Sequence, residues 1–529
     1  MEQQDNLISE ISRRNFVRGA GILAVGVGAA GLSPLQALAA PMAPKKGGTL
    51  RVGVVGGTDD IIDAQYLFKM ADVIRLNIGW EGLMNFDEKF KPSTVNGLAE
   101  SVEVKSLTEY VIKMKKGVEF HNGKTMDMDD VIYSWQRMVD PALPGTKAMA
   151  AYLNAGGLKK IDANTFKMTL LQPNADWLTT FAQYACTIVP VGYTRTGPQV
   201  GTGPYKLKSF TPGVESTHVR HANYWDSGKP YLDAVRVINF SSTDALVNAL
   251  LAGQVDAAVG VPAALVPAVK KDKKLKVIET SAGKIAPIVL PIDEAPFNDV
   301  RVRKALRMMI DRKKIIKQAL SGHGTVANDD FSPIDSNYNA NGYKEPKQDL
   351  AGGLALLKAA GYSKSNPLKF TLWTGSDNYP EVAKAFAEQI NSGSGGVAKI
   401  EVGVPSDYWD TKYMAKGVGA YTTYWNPKPY LVQAGQMLDV YDETHLAPKG
   451  ANSPYRKWFE QAVAEPDAAK RRELIKKMQA YHNENGGYII PFFLNVIDAH
   501  STKVQGIVQR PASLNLDTLG MHFKNVWMA

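Results

Sequence analysis

Thr49-Leu50-Arg51-Val52-Gly53-Val54-Val55 is an apolar run that follows polar Lys45-Lys46-Gly47-Gly48 and stops at Gly56-Gly57. A short apolar run bounded by glycine reads as a buried strand, and the loop at its C-terminal end stands where open α/β sheets place their ligands. Working outward, Tyr110–Met114 alternates and reads as a second strand. After Gly123, Asp127 has the position of an N-cap, with Asp130 in the first turn. Met128, Val131, Ile132, Trp135, Met138 and Val139 follow at helical spacing, a core face rather than a cofactor box. That helix ends by Asp140-Pro141, because the residue before proline avoids the α region. Gly201-Thr202-Gly203-Pro204-Tyr205 is a rigid turn before a strand over 206–210. Thr243 is expected to cap a helix carrying Leu246, Ala249 and Leu250, which Gly253 stops. Asp299 caps another, with Val302, Ala305, Leu306, Met309 and Ile310 on one face. Further helices are expected over 349–360, stopping at Gly361, and over 381–390. A flexible Ser392-Gly393-Ser394-Gly395-Gly396 then leads to a strand over 399–404. Strands alternating with helices, with long excursions between them, imply an α/β architecture.

The chain has 529 residues, more than one ordinary core holds, and two large lobes would satisfy that length. Its first residues carry Ser12-Arg13-Arg14-Asn15-Phe16-Val17-Arg18, then a Gly/Ala-rich apolar run from Gly19 to Leu32, then Ala37-Leu38-Ala39. This is the pattern of a twin-arginine signal peptide over 1–39, cleaved near Ala39. The apolar run falls short of the ~20 residues that span a bilayer, and no later stretch reaches that length, so a soluble periplasmic protein is expected. Removing 1–39 takes three arginines and three acidic residues and leaves the formal net charge at +9. Lysines and arginines are scattered, and Lys270-Lys271-Asp272-Lys273-Lys274 reads as a solvated loop, so no nucleic-acid partner is expected. Cys186 is the single cysteine: it forms no internal disulfide, lies far from the cleavage site, carries no lipid anchor, and reads as a small buried hydrophobe.

A series of segments occurs in a telling order: Gly97-Leu98-Ala99-Glu100-Ser101, Lys116-Gly117-Val118-Glu119-Phe120-His121-Asn122-Gly123, Asp130-Val131-Ile132-Tyr133-Ser134, Gly201–Leu207, Asn223-Tyr224-Trp225, Gly228-Lys229-Pro230-Tyr231-Leu232-Asp233, and Pro296–Leu306 with Ile310-Asp311-Arg312. Together they resemble the peptide, nickel and opine class of extracellular solute-binding proteins (family 5), typified by dipeptide- and oligopeptide-binding proteins. The resemblance covers nearly all of the chain after the signal segment. It implies a two-lobed α/β periplasmic binding protein of type II, in the large cluster C form. Lobe one would span 45–283, with an inserted subdomain near 85–195, and lobe two 284–495. The chain would cross near Ala286-Pro287 and return around Phe492–Ile497, leaving 496–529 to complete lobe one. Hinge closure around a solute follows from such a plan. The resemblance also implies ABC-transporter permease subunits as partners, besides the Tat export machinery for the precursor, and a monomer. In the family the His121-Asn122-Gly123 run is a scaffold turn.

Enzyme readings find no support in the motifs. There is no G-x-G-x-x-G opening a helix, no Walker A loop, no H-E-x-x-H, no C-x-x-C and no G-x-S-x-G. No catalytic residue, cofactor or metal is therefore expected. His218 and His221 have a metal-compatible spacing but no partner ligand nearby, and read as solvated histidines. In peptide-binding relatives an Asp after Gly-Trp pairs with the ligand's α-amine. Here Tyr424-Trp425-Asn426-Pro427-Lys428 puts a neutral amide and a cation in that region, poor partners for an ammonium group. Opine-like, sugar-derived or otherwise carboxylated solutes fit better than ordinary di- or oligopeptides, which stay the alternative. Candidate ligand contacts are Thr58 and Asp59 after the first strand, and Trp373, Asp377, Asn378 and Tyr379 between a later strand and helix. Aromatic walls could come from Tyr408, Trp409, Tyr424 and Trp425, with Asn426 and Lys428 beside them.

Overall fold

The computed structural model describes residues 43–66, 69–87, 91–140, 152–153, 155–376, 379–439, 442–446, 452–509 and 523–529. The signal segment at 1–39 and the candidate contacts Asp377 and Asn378 lie outside the described residues. The first apolar run forms β1 (Thr49–Val55), as its sequence implies. It pairs in parallel with β8 (Ala234–Phe240) on one side and with β9 (Ala257–Ala258) on the other. Antiparallel β7 (Glu215–Arg220) and β6 (Tyr205–Thr211) extend one edge. Beyond β9 come β17 (Phe492–Ser501) and β10 (Leu275–Ile285), and β12 (Gly324–Val326) also pairs with β17. These are the eight described strands of the first sheet. Helix α1 (Met70–Gly79) buries Ile74 and Ile78 against Leu50, Val52 and Val54 of β1.

An excursion from this sheet carries its own four-stranded sheet, made of β2 (Ala99–Val104), β3 (Glu109–Met114), β4 (Leu158–Lys160) and β5 (Thr165–Thr169). Helix α2 (Met128–Met138) packs on it through Val131, Trp135 and Met138, in a core separate from that of β1. Asp127 accepts from the Asp129 and Asp130 amides, and Asp130 completes a capping box. Cys186 lies in this core, and burial pushes its thiol up to about 12, so it packs as a hydrophobe. The His121 turn ties this layer to the next. The Gly201 amide donates to His121 Nδ1 at 3.2 Å, which leaves Nε2 to donate to the Gly203 carbonyl at 3.0 Å. Burial holds that ring neutral, with its pKa down to about 3. Next to it, Glu81 is fully buried just past α1 and accepts from the Tyr224 hydroxyl (2.6 Å), Trp225 Nε1 (2.8 Å) and the Thr202 hydroxyl (3.1 Å).

The second large sheet has the order β14 (Ala398–Gly403), β13 (Leu368–Trp373), β15 (Tyr421–Thr422), β11 (Ile288–Val289), β16 (Tyr488–Ile489). The chain passes between the two large sheets at several points, since β12 returns to the first sheet between β11 and β13, and two of these passages join strand ends directly. It leaves β10 through Ala286-Pro287 into β11, and leaves β16 through Ile490-Pro491 into β17. On the second sheet pack α4 (Val300–Met308), α5 (Leu350–Ala359) and α6 (Pro380–Gly393). Asp299 and Asp349 cap the first two through their side chains.

Four local expectations need correction. The N-cap of α3 (Thr243–Leu251) is Ser242, whose hydroxyl accepts from the Ala245 amide, because Ser242 is the last extended residue. Ser392 and Gly393 do not begin a flexible linker. They complete the last turn of α6, where the Ser392 hydroxyl donates to the Glu388 carbonyl at 2.8 Å. Lys270 and Lys271 stand in the last turn of a short helix over Val266–Lys271, where cations suit the helix dipole. His218 and His221 are not solvated. Both are buried, and burial pushes the His218 imidazole down to about 3 while its Nε2 pairs with the Ser216 hydroxyl at 3.0 Å. No helix among the described residues is long and apolar enough to cross a membrane.

Candidate functional site

Between the two large sheets lies a cavity of about 510 Å³. One wall is the C-terminal end of β1 (Val54, Val55), the turn after β9 (Val259–Pro262) and Thr243. The opposite wall is Tyr379, Asn426-Pro427 and Ala319-Leu320. The bridging strands supply the floor, with Lys284 from β10 and Leu494–Ile497 from β17. Strand ends of a parallel pair thus open onto the cavity, as the topology of α/β sheets favours. Among its described lining residues there is no aspartate and no glutamate, while Lys284 and His323 are present.

Lys284 reaches this position through an irregularity in β10. Register runs from Leu275↔Ser501 to Ser281↔Asn495 and resumes at Lys284↔Leu494, so residues 282–283 have no partner on β17. Gly283 has φ +77°, and a Cβ there would lie 2.5 Å from Pro333 Cγ, so glycine is required twice over. Such bulges turn a side chain out of the regular pleat. The Lys284 ammonium sits 4.7 Å from the ring centre of Tyr424 and 5.4 Å from that of Tyr379. Tyr379 holds a left-handed conformation (φ 53°) as the N-cap of α6.

The candidate residues from the sequence divide. Tyr379 and Asn426 line the cavity, and Tyr424 is the exposed ring (39%) facing Lys284. Trp409 is also exposed and meets Tyr424 edge-on at 5.9 Å, so an aromatic path runs from the surface to Lys284. Tyr408 lies behind it, buried, with its hydroxyl donated to the Thr422 carbonyl. Trp425 is buried as well. Its backbone exchanges two 3.0 Å hydrogen bonds with Ile285, next to the crossing, and its Nε1 donates to Glu443 at 3.2 Å. Lys428 does not line the cavity: its ammonium donates to Gln436 at 2.6 Å near the Trp425 ring, and burial pushes it down to about 8. Thr58 and Asp59 are exposed in the turn after β1, with Asp59 paired to Lys69. Below them, buried Asp60 accepts from Arg75 at 2.9 Å and from the Gly57 amide at 3.0 Å, which fixes that turn. Trp373 lines a second, open depression of about 500 Å³ with Phe297, Lys369 and Gly419, under the Lys412 ammonium.

Glu443 organises the wall that carries Tyr424. It is fully buried and accepts from Tyr413 (2.6 Å), Thr423 (3.1 Å), Trp425 and Tyr488. Burial pushes its carboxyl above the usual range, against those four donors. Sequence reasoning missed Glu443, Lys284, His323 and Asn495. For Lys284 a signal existed: it stands two residues before the Ala286-Pro287 crossing and directly after a glycine.

The family model described as bacterial extracellular solute-binding proteins, family 5 Middle, matches residues 93–444. Heme-binding protein A of Haemophilus influenzae is 31% identical over 293 residues, 50% of this chain and 53% of that protein. Glutathione-binding protein GsiB of Escherichia coli K12 is 27% identical over 305 residues, 56% of this chain and 58% of that protein. The chain thus matches little more than half the length of these curated relatives. Among solved structures, the binding protein AgaA of A. tumefaciens R10 with agropinic acid superposes with a TM-score of 0.73 at 21% identity, over 91% of this chain and 99% of that one. DppA of Helicobacter pylori with the peptide STSA gives 0.75 at 20%, over 92% and 98%. At such identities the likeness shows the fold, the two-lobed periplasmic binding protein.

Proposed function

The chain belongs to the bacterial extracellular solute-binding proteins of family 5, and from that premise we propose that it captures a small solute between its lobes and delivers it to the permease of an ABC importer. The observation that carries this reading is the cavity itself. It lies between the two large sheets with residues of both on its walls, so a solute can touch both walls and draw them together. The lobes would be 45–283 with 496–529, and 284–495. The protein would work in the periplasm as a monomer, exported through the twin-arginine route on its segment 1–39.

We place the solute among opine-like, sugar-derived or otherwise carboxylated molecules. The cavity wall offers Asn426 and Lys284 and, among its described residues, no carboxylate to offset a buried ammonium group. Heme, glutathione and agropinic acid, the solutes named for three relatives, all carry carboxylates. Capture and release needs no bond chemistry, so the solute is expected back unchanged after incubation. Small-angle X-ray scattering tests the reading: a bound solute reduces the radius of gyration and raises the melting temperature with concentration. Superimposable profiles with and without saturating solute would remove lobe closure.

A further inference from the structure

The proposed function leaves open what the cavity reads. Lys284 is a partly buried cation for which the described residues supply two aromatic faces and no carboxylate within ion-pair distance. Contacts of an ammonium with aromatic rings are modest, roughly 0.5–1 kcal/mol at exposed sites, and do not replace an anionic partner. The bulge that delivers this side chain is itself demanding, needing a left-handed residue without a Cβ against Pro333. That strand interruption aims one lysine into a cavity whose described lining offers no anionic partner for it.

A second polar group of the same floor is also waiting. The Asn495 amide nitrogen donates to Glu279 Oε1 at 2.7 Å, which fixes the orientation of the amide. Its Oδ1 is then buried with no hydrogen-bond partner among the described residues. The same Glu279 oxygen is engaged by His323 Nδ1 at 2.8 Å, and among the described residues no contact of ion-pair distance joins this carboxylate to Lys284. A buried carbonyl oxygen without a donor costs about 1–3 kcal/mol until a donor arrives.

Resting on the solute-binding reading, we propose that Lys284 is the specificity residue of the cleft: it pairs with an acidic group of the solute, while Asn495 Oδ1 accepts from an N–H or O–H on the same molecule. The solute is then a small acid that also carries a hydrogen-bond donor. Tyr379 and Tyr424 flank the ammonium, hold its direction and exclude water around the ion pair, which strengthens it. The bland alternative is a lysine stem that only fills space between two rings. Lys284→Met keeps that stem and removes the charge, whereas Lys284→Arg keeps the charge.

The test uses the whole mature protein. Native mass spectrometry of protein purified without refolding reads any solute that travels with it. Calorimetry then titrates octopine, glutathione and glucose 6-phosphate against neutral glucose and cationic alaninamide. The expected result is an acidic solute or probe as the tightest ligand, weakened at least tenfold by Lys284→Met and within about threefold of wild type in Lys284→Arg, on the scale of charge-assisted hydrogen bonds. Both variants should melt as the wild type does. Carboxylate and phosphate probes separate the two kinds of acid. A neutral or cationic solute bound most tightly, or Lys284→Met binding an acid as wild type does, overturns the role of Lys284 and leaves the solute-binding reading standing. No solute in the mass spectrum and no heat from any probe overturns both.

Discussion

Two buried glutamates, one in each half of the fold, are held by nearly the same donors. Glu81 takes a tyrosine, a tryptophan and a threonine; Glu443 takes two tyrosines, a tryptophan and a threonine. Their surroundings differ. The Glu81 donors Tyr224 and Trp225 sit beside Lys524, whose charge lowers the Glu81 pKa against burial and which pairs with Asp226 at 2.9 Å. Lys115 stands over Trp225 as well, at 4.1 Å. Among the described residues no cation is within ion-pair distance of Glu443, so hydroxyl and indole dipoles alone solvate it. The first carboxylate locks a scaffold corner where α1, the subdomain and β6 meet. The second fixes Trp425, and through it the chain at Tyr424–Asn426 that faces the cavity. One donor set therefore does two jobs, and what decides the job is which backbone the donors belong to.

The comparison predicts unequal consequences. The largest should come from Glu81→Ala, which strands three buried donors and leaves Lys524 less well balanced. Equilibrium denaturation should show a loss of about 3–5 kcal/mol, with solute affinity in the folded fraction within twofold of wild type. Glu443→Gln should cost less stability, about 1–2 kcal/mol, since the amide oxygen still accepts two donors. Its mark should be in calorimetry, as a roughly tenfold loss of solute affinity, equal to about 1.4 kcal/mol. Equal affinity losses in the two variants would erase the distinction between scaffold and site.

A pH series sharpens the contrast. Burial raises both carboxyls above the ordinary value of 4.5 in the folded chain. The folded state thus holds these protons more tightly than the unfolded state. The stability they contribute is present below pH 4.5 and lost as pH rises through the raised folded values. Glu81→Ala and Glu443→Gln should each flatten that decline in a series of melting curves. A slope unchanged in both would show that neither group titrates differently on folding. The smallest effect should be Ser242→Ala, about 1 kcal/mol from a lost N-cap. Although Thr243 beside it lines the cavity, affinity should not move, which makes this variant the baseline for stability loss alone.

Much of the scaffold was legible because local chemistry decides it. Thr49–Val55 is bounded by glycines and became a strand over that range. Asp127, Asp299 and Asp349 cap helices because a carboxylate there accepts amides that have no other partner. Ser242 and Thr243 are equally good caps in sequence, and only the extended backbone at Ser242 separates them. His218 looked solvated because a strand end is usually open, yet β8 and the α1 residue Arg75 cover it. The site was less legible. Tyr379, Tyr424 and Asn426 fall on loops that the family fold turns inward, but Lys284 owes its place to a bulge produced by pairing with a strand some 210 residues away. Glu443 resembles any surface glutamate until Tyr413, Trp425 and Tyr488 close over it.

The two direct strand-to-strand passages run side by side. β10 and β17 are hydrogen-bonded neighbours from Leu275↔Ser501 to Ile285↔Phe493, apart from unpaired 282–283, and each meets a proline at the edge of the first sheet, Pro287 on one and Pro491 on the other. A ribbon of paired strands is a leaf spring: it flexes across its face, but in-plane shear would break its ladder. The proline rings stiffen the clamped end, since their φ is fixed. Bending across the face of this ribbon is therefore its soft direction. One pair of spectroscopic labels, one on each side of the ribbon, would report that bending.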